Sequence, residues 1–187
     1  MKVTGGIAKG RKLRTPPGKS LRLTTDRVKG ALFNLLPDPE GRVFLELFAG
    51  TGNVSIEALS RGARRAVLVE KDGKLVDLIS ENLTACGLGQ RAGVISAPVE
   101  TILPFLAGKE DLFDIVFADP PYEQGLAGKT LSLPGLEALL APGALVVVEH
   151  SFREDMGDRY GSLVLRNRKK YGDTVLSIYG MEKDEQR

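Results

Sequence analysis

The feature that most constrains the fold is an alternation that runs from residue 43 to residue 149. Short apolar runs at 43–48, 65–70, 94–97, 113–118 and 144–149 read as strands. Continuous apolar character, without polar alternation, suits parallel strands covered on both faces. Stretches of helical period fall between them, at 53–61, 73–86, 99–106 and 134–140. Gly62, Gly87 and Pro142-Gly143 supply stops. The run at 144–149 is strongly apolar, which places it centrally. Residues 162–168 and 173–180 alternate around Tyr171-Gly172-Asp173, the pattern of a closing antiparallel hairpin. The expected architecture is α/β: a mostly parallel seven-stranded sheet with helices on both faces.

The first 24 residues do not follow this pattern. Residues 2–8 and 11–15 predict two short strands around Ala8-Lys9-Gly10, and Thr15-Pro16-Pro17-Gly18 predicts a turn. Thr24 or Thr25 is the candidate N-cap of a helix that runs through Leu36. Its apolar face is Val28, Ala31, Leu32, Leu35 and Leu36, and Pro37 and Pro39 stop it. A hairpin arm over 1–24 and a single domain over 25–187 are therefore expected.

Charge sets the arm apart as well. Residues 1–30 carry Lys2, Lys9, Arg11, Lys12, Arg14, Lys19, Arg22, Arg27 and Lys29 against Asp26, in a chain whose net charge is +2. A basic block on a near-neutral body points to a polyanion held at one end. The chain has one cysteine, Cys86, so no internal disulfide forms, which fits a reducing cytoplasm. One histidine and no Cys/His cluster argue against a metal site. No apolar run approaches the roughly 18 residues of a membrane span, and no apolar signal segment is visible.

Chemistry concentrates in two loops. Asp119-Pro120-Pro121-Tyr122 follows the fourth strand, at the carboxyl end where open α/β sheets bind ligands. Two prolines fix φ and remove two donors, so the loop is stiff and its carbonyls are free to accept. With the Asp119 carboxylate and the flat Tyr122 ring, it suits a planar group bearing an amine, such as a nucleobase. A plain strand-to-loop turn with a capping Asp would use the same letters.

The second loop is Glu46-Leu47-Phe48-Ala49-Gly50-Thr51-Gly52-Asn53, between the first strand and its helix. Gly50 and Gly52 allow a tight turn and close backbone approach. Glu70 ends the second strand 20 residues after Gly50, where a carboxylate can accept from ribose hydroxyls. Nicotinamide dinucleotides and S-adenosylmethionine share these needs. Ser55 stands where the dinucleotide fingerprint wants a third glycine. Glu46 would repel a pyrophosphate, yet could face the ammonium of S-adenosylmethionine, directly or through water.

These residues, with Gly5-Gly6-Ile7, Gly10-Arg11-Lys12-Leu13, Leu21-Arg22-Leu23-Thr24-Thr25-Asp26-Arg27-Val28, Leu32-Phe33-Asn34 and Glu57-Ala58-Leu59-Ser60-Arg61-Gly62-Ala63, resemble the RsmD family. That family comprises small-subunit ribosomal RNA guanine-N2 methyltransferases. The likeness covers nearly the whole chain, and the arm with Thr24-Thr25-Asp26-Arg27-Val28 is its specific part. It implies a Rossmann-like methyltransferase sheet, S-adenosylmethionine as donor, and 16S rRNA as partner, within the small subunit or an assembly intermediate. The implied donor site is Glu46, Phe48, Ala49, Gly50, Gly52, Glu70, Lys71, Ala97 and Asp119. Asp119, Pro120 and Tyr122 would hold the base. Lys9, Arg11, Lys12, Arg14, Arg22, Thr25 and Arg27 would meet RNA. No metal and no membrane enter, and a monomer is expected. After the third strand the family usually has Asp or Asn, whereas this chain reads Ser96-Ala97-Pro98-Val99. The reader of the adenine ring is thus left open, a backbone group being one candidate.

Smaller features have less to say. His150 could line the base pocket or be structural. Arg166, Arg168, Lys169 and Lys170 could extend the RNA surface or form a solvated strand face. Asn82 reads as a surface or capping residue and Cys86 as inert. Three competing readings remain. An adenine-N6 DNA methyltransferase lacks a separate DNA-reading domain here. A non-catalytic ribosome-assembly protein would not need the intact Asp119 loop and Glu70. A nicotinamide oxidoreductase is disfavoured by Ser55 and by the lack of an acid/base dyad near the fourth strand.

Overall fold

A computed structural model describes residues 1–16, 25–108, 112–122 and 124–182. Two compact units emerge, Met1–Val99 and Glu100–Arg187.

The first unit is built on three parallel strands, β1 (Val43–Leu47), β2 (Arg65–Glu70) and β3 (Ala92–Ser96). β2 lies between the others, with Leu45 opposite Val67 and Leu68 opposite Val94. The helices are α1 (Asp26–Leu35), α2 (Asn53–Ser60) and α3 (Gly73–Ala85). Thr25 is the N-cap of α1: its Oγ1 accepts from the Val28 N–H at 3.2 Å. Thr24 lies outside the described residues. Leu45, Leu47, Ile56, Leu59, Leu68 and Ile79 are fully buried and form the core.

The predicted strands of the arm reduce to one antiparallel bridge, Lys2 to Lys12. Between them the chain turns through left-handed Gly6 and Gly10 and lies against the end of α2. Ile7 N–H donates to Ser60 O at 2.8 Å, and Ala8 N–H to Ser60 Oγ at 2.9 Å. A side chain at Gly6 would overlap the Ser60 carbonyl, so only glycine permits this contact. The hairpin is therefore part of the first unit's packing.

The second unit holds α4 (Val99–Leu106), β4 (Phe113–Ala118), α5 (Leu126–Leu131), β5 (Leu140–Ser151), β6 (Arg159–Tyr160), β7 (Leu163–Tyr171) and β8 (Thr174–Met181). Its strand order is β4-β5-β8-β7-β6. β5 runs parallel to β4 and antiparallel to β8, which bears out its central place. The β7–β8 hairpin closes at Tyr171 and Thr174 around Gly172, whose φ is 63°. Described strands number eight against the expected seven, the addition being the short β6. The predicted helix at 134–140 is instead a 3₁₀ turn at Glu137–Leu139. Gly135 has a left-handed φ of 90°, which breaks the helix, and the Leu103 carbonyl fills the space a Cβ would need there. Among the described residues no helix is long and apolar enough to cross a membrane.

Candidate functional site

The glycine loop after β1 is held at successive peptide groups. Ala49 N–H donates to Val69 O at 2.9 Å, extending the ladder past the end of β1. Gly50 N–H donates to Glu70 Oε2 at 2.8 Å, and Gly52 N–H to Ala49 O at 2.8 Å. Phe48, Gly50 and Gly52 all have left-handed backbones, with φ of 58°, 56° and 72°. For Phe48 this conformation costs about 1–3 kcal/mol, a strain of the kind stored at ligand sites. At Gly52 a Cβ would lie 3.0 Å from Leu68 Cδ2 and 3.3 Å from Ile79. The loop can be this tight only because a hydrogen stands there.

Glu70 is buried, and its carboxylate does more than the sequence indicated. Oε2 takes Gly50 N–H, while Oε1 takes the Lys71 and Asp72 N–H groups at 2.9 Å each. Glu70 therefore joins the glycine loop to the turn before α3. A carboxylate has about four acceptor positions, so capacity remains on Oε2 for a ribose hydroxyl. Lys71 is exposed. Ala97 is half-buried, and its N–H donates to Glu70 O at 3.1 Å.

Glu46 is turned inward. Its Oε2 accepts from Ser55 N–H at 2.8 Å, capping the third residue of α2 from the neighbouring strand. Gly52, the N-cap, has no side chain to do this. Burial pushes the Glu46 carboxyl up to about 7, against the lowering pull of hydrogen bonds from Ser55 and Val54 and with a small rise from Glu70. The sequence reading, in which Glu46 faces an ammonium, did not anticipate that one oxygen serves the helix.

Two further residues reach this loop. Asn82, on α3, is 1% exposed, which corrects its reading as a surface or capping residue. It bonds the backbone of Arg14 and the carbonyl of Thr51. Lys29 is fully buried, so it cannot serve the polyanion with which its charge was counted. Its Nζ donates to Lys2 O at 2.7 Å and Asn53 Oδ1 at 2.6 Å, and pairs with buried Glu57 at 3.1 Å. Burial alone would raise the Glu57 carboxyl, but the Thr4 N–H, the Lys29 charge, the Thr4 hydroxyl and Arg61 hold it below its ordinary value. Both residues sit on apolar helical stripes, Lys29 beside Val28 and Leu32, and Asn82 seven positions after Leu75. That placement is the signal by which sequence could have found them.

The basic residues of the hairpin face outward. Lys9, Arg11, Lys12 and Arg14 are exposed, as are Thr25 and Arg27. Arg14 pairs with Glu81 at 2.7 Å. Arg22 lies outside the described residues.

In the second unit, the Asp119 loop leaves the end of β4, where Ala118 lies opposite Val148 of β5. Asp119 and Tyr122 are half-buried and Pro120 is buried. Tyr122 OH donates to Glu149 Oε1 at 3.2 Å. Glu149, at 1% exposure, ends an apolar run and was not singled out from sequence. His150 is structural. Its Nδ1 meets Ser151 O and its Nε2 meets Ser177 Oγ, each at 2.9 Å, and burial lowers its pKa. Arg166 and Arg168 are tied to Met181 O and Met156 O, while Lys169 is exposed and Lys170 lies 4.0 Å from the Phe152 ring centroid. Among the described residues no group of three or more His, Cys, Asp or Glu could hold a metal ion.

A family model described as conserved hypothetical protein 95 matches residues 1–180. Ribosomal RNA small subunit methyltransferase D of Escherichia coli K12 is 35% identical over 183 residues, covering 97% of this chain and 90% of that protein. The structure of YhhF of Escherichia coli, a proposed methyltransferase, superposes with a TM-score of 0.83 at 34% identity, covering 97% of this chain and 98% of that one. SMU.776, solved in complex with SAH, has a TM-score of 0.66 at 16% identity, covering 82% of this chain and 48% of that one. That last likeness extends to the fold alone.

Proposed function

This chain belongs to the RsmD family, and from that premise we propose that it methylates the exocyclic N2 of a guanine in small-subunit ribosomal RNA. The coarser activity, methyl transfer from S-adenosylmethionine to ribosomal RNA, is the family's own. The single observation that carries the finer reading is the Asp119 loop: a stiff set of acceptors on β4 beside a ring held by Glu149.

The donor chemistry fits the first unit. Gly52 lets the glycine loop pack directly on Leu68 and Ile79, Glu70 retains acceptor capacity for a ribose, and the Glu46 carboxyl at the start of the loop lies near neutrality. Phe48 and Ala49 belong to that loop, and the Lys71 N–H is bound to the Glu70 carboxylate. Since the Ala97 N–H is committed to Glu70 O, an adenine contact at Ala97 falls to its carbonyl.

When bound, S-adenosylmethionine supplies an electrophilic methyl on a sulfonium. The guanine amine is a poor nucleophile because its lone pair is delocalised into the ring. Asp119 carboxylate and Pro120 carbonyl each accept one N–H, which localises that pair and aims it. Orientation and electrostatic complementarity are then the main catalytic contributions. After transfer the nitrogen is cationic and loses a proton, to Asp119 or to water. No covalent enzyme intermediate is required, and burial pushes the Cys86 thiol up, away from thiolate character. Extruding the base costs a few kcal/mol, and stacking on Tyr122 returns about 1–3 kcal/mol. Lys9, Arg11, Lys12, Arg14, Arg22, Thr25 and Arg27 hold phosphates without reading sequence. The protein acts in the cytoplasm as a monomer, on 16S rRNA in the small subunit or an assembly intermediate.

Labelled methyl transfer tests this reading on naked 16S rRNA, small subunits lacking the modification, and duplex DNA. Label in rRNA or subunits is expected, and the better of the two identifies the assembly stage. Label confined to DNA would overturn the reading in favour of adenine methylation.

A further inference from the structure

Asn82 sits where the RNA-facing hairpin and the glycine loop come together. Its side-chain amide is engaged on both sides. Oδ1 accepts from Arg14 N–H at 2.8 Å, and Nδ2 donates to Arg14 O at 3.1 Å and to Thr51 O at 3.2 Å. One acceptor and both donors are thus committed, at 1% exposure. The amide pairs with both backbone groups of Arg14, as a neighbouring strand would. Its remaining proton fixes the carbonyl between Gly50 and Gly52.

The other end of the hairpin meets the same loop. Lys29 Nζ joins Lys2 O to Asn53 Oδ1, and Thr51 Oγ1 lies 3.9 Å from Met1 Sδ. Buried polar bonds of this kind are costly to leave half-made. A hairpin displaced by a fraction of an ångström must therefore either carry the loop with it or break them. The side chains of Lys9, Arg11, Lys12 and Arg14 leave this same hairpin for solvent.

We infer that Asn82 is a positioning residue that couples RNA capture on the hairpin to donor binding at residues 50–52. The inference rests on the functional reading above and adds a linkage to it. Phosphate contacts that order the hairpin fix Arg14, Asn82 transmits that order to Thr51, and the loop is presented in its binding geometry. By reciprocity, a bound donor that orders the loop tightens the hairpin on RNA by the same factor. Alanine at position 82 removes all three bonds and leaves the exposed cations in place.

Titration of S-adenosylhomocysteine into the full chain, with and without saturating 16S rRNA, tests the coupling. The wild-type protein is expected to bind it at least about fivefold tighter with RNA, within the range of common coupling factors. In Asn82→Ala that ratio is expected to fall to within about twofold of unity. A side chain with a merely structural role would weaken both titrations and leave the ratio intact. An unchanged ratio in the variant, or a ratio of one in the wild type, overturns the inference. Hydrogen exchange on the wild-type protein gives a second test that needs no variant. Bound S-adenosylhomocysteine should slow exchange at the Arg14 amide, and unaltered exchange there would also overturn it. A protein that methylates rRNA with uncoupled ligands contradicts this inference alone. One that neither binds nor methylates rRNA contradicts the functional reading and the coupling with it.

Discussion

The two loops of the candidate site reach rigidity by different means. The glycine loop in the first unit is flexible in composition and is pinned from outside, by Glu70 on Gly50, Asn82 on Thr51 and Glu46 on the helix that follows. The Asp119 loop in the second unit is stiff in composition, since Pro120 and Pro121 fix their own φ angles. Glu149 then orients the one aromatic ring. A loop that must wrap a large cofactor needs glycine, and glycine needs neighbours to hold it. A loop that presents two acceptors to one amine can be rigid by itself. Damage should therefore spread on the donor side and stay local on the acceptor side.

The largest effect expected from this contrast is at Asp119. Asp119→Ala should lower turnover by about 10³-fold, on the scale of losing a key electrostatic contact, while S-adenosylhomocysteine affinity in calorimetry stays within about threefold. A variant with near-normal turnover would end the assignment of that loop.

Next in size is a pH effect at Glu46. Its folded pKa of about 7 lies above the ordinary carboxylate value of 4.5. The native state therefore holds a proton that the unfolded chain has released. The associated stabilisation is full below about pH 4.5 and is lost as pH rises through 7. Glutamine keeps an acceptor for Ser55 N–H and does not titrate. Denaturant melts should thus show Glu46→Gln gaining stability relative to wild type between pH 4.5 and 7, on the order of 3 kcal/mol. A pH-independent difference would mean that the carboxyl is not buried as described.

A smaller effect is expected at Glu70. Glu70→Ala removes the acceptor for Gly50, Lys71 and Asp72 together. Donor affinity should fall roughly 10–100-fold, the loss of one or two charge-assisted hydrogen bonds, with RNA affinity changed far less. Unchanged donor affinity would remove Glu70 from the site.

Much of this was legible in the letters because the strands are short apolar runs with clear stops. β2 and β4 have the predicted bounds, and α4 likewise. What escaped detection depended on tertiary context. α5 escaped because Leu126–Leu131 is short and has Gly128 inside it. The helix expected at 134–140 failed where Gly135 takes a left-handed φ of 90°, a conformation no helix contains. Lys29 was counted as surface charge because a tally of cations ignores which helical face each one occupies. Asn82 was read as a surface or capping residue because its helical face was likewise not followed, and Glu149 was passed over because it stands at the end of the apolar run of β5. A polar letter on a buried stripe carries information only when the stripe is followed through it. Glu70 was placed correctly at the end of β2, but a sequence could not say that its carboxylate also holds the loop 20 residues earlier.

The most direct test of the central claim is the identity of the methylated nucleoside. Small subunits lacking the modification would be treated with the protein and labelled S-adenosylmethionine, and their 16S rRNA digested to nucleosides for mass spectrometry. The account predicts label in N2-methylguanosine. Label in N6-methyladenosine, or in guanosine methylated at a ring nitrogen, would contradict it, because the Asp119 loop would then be holding a different edge of the base.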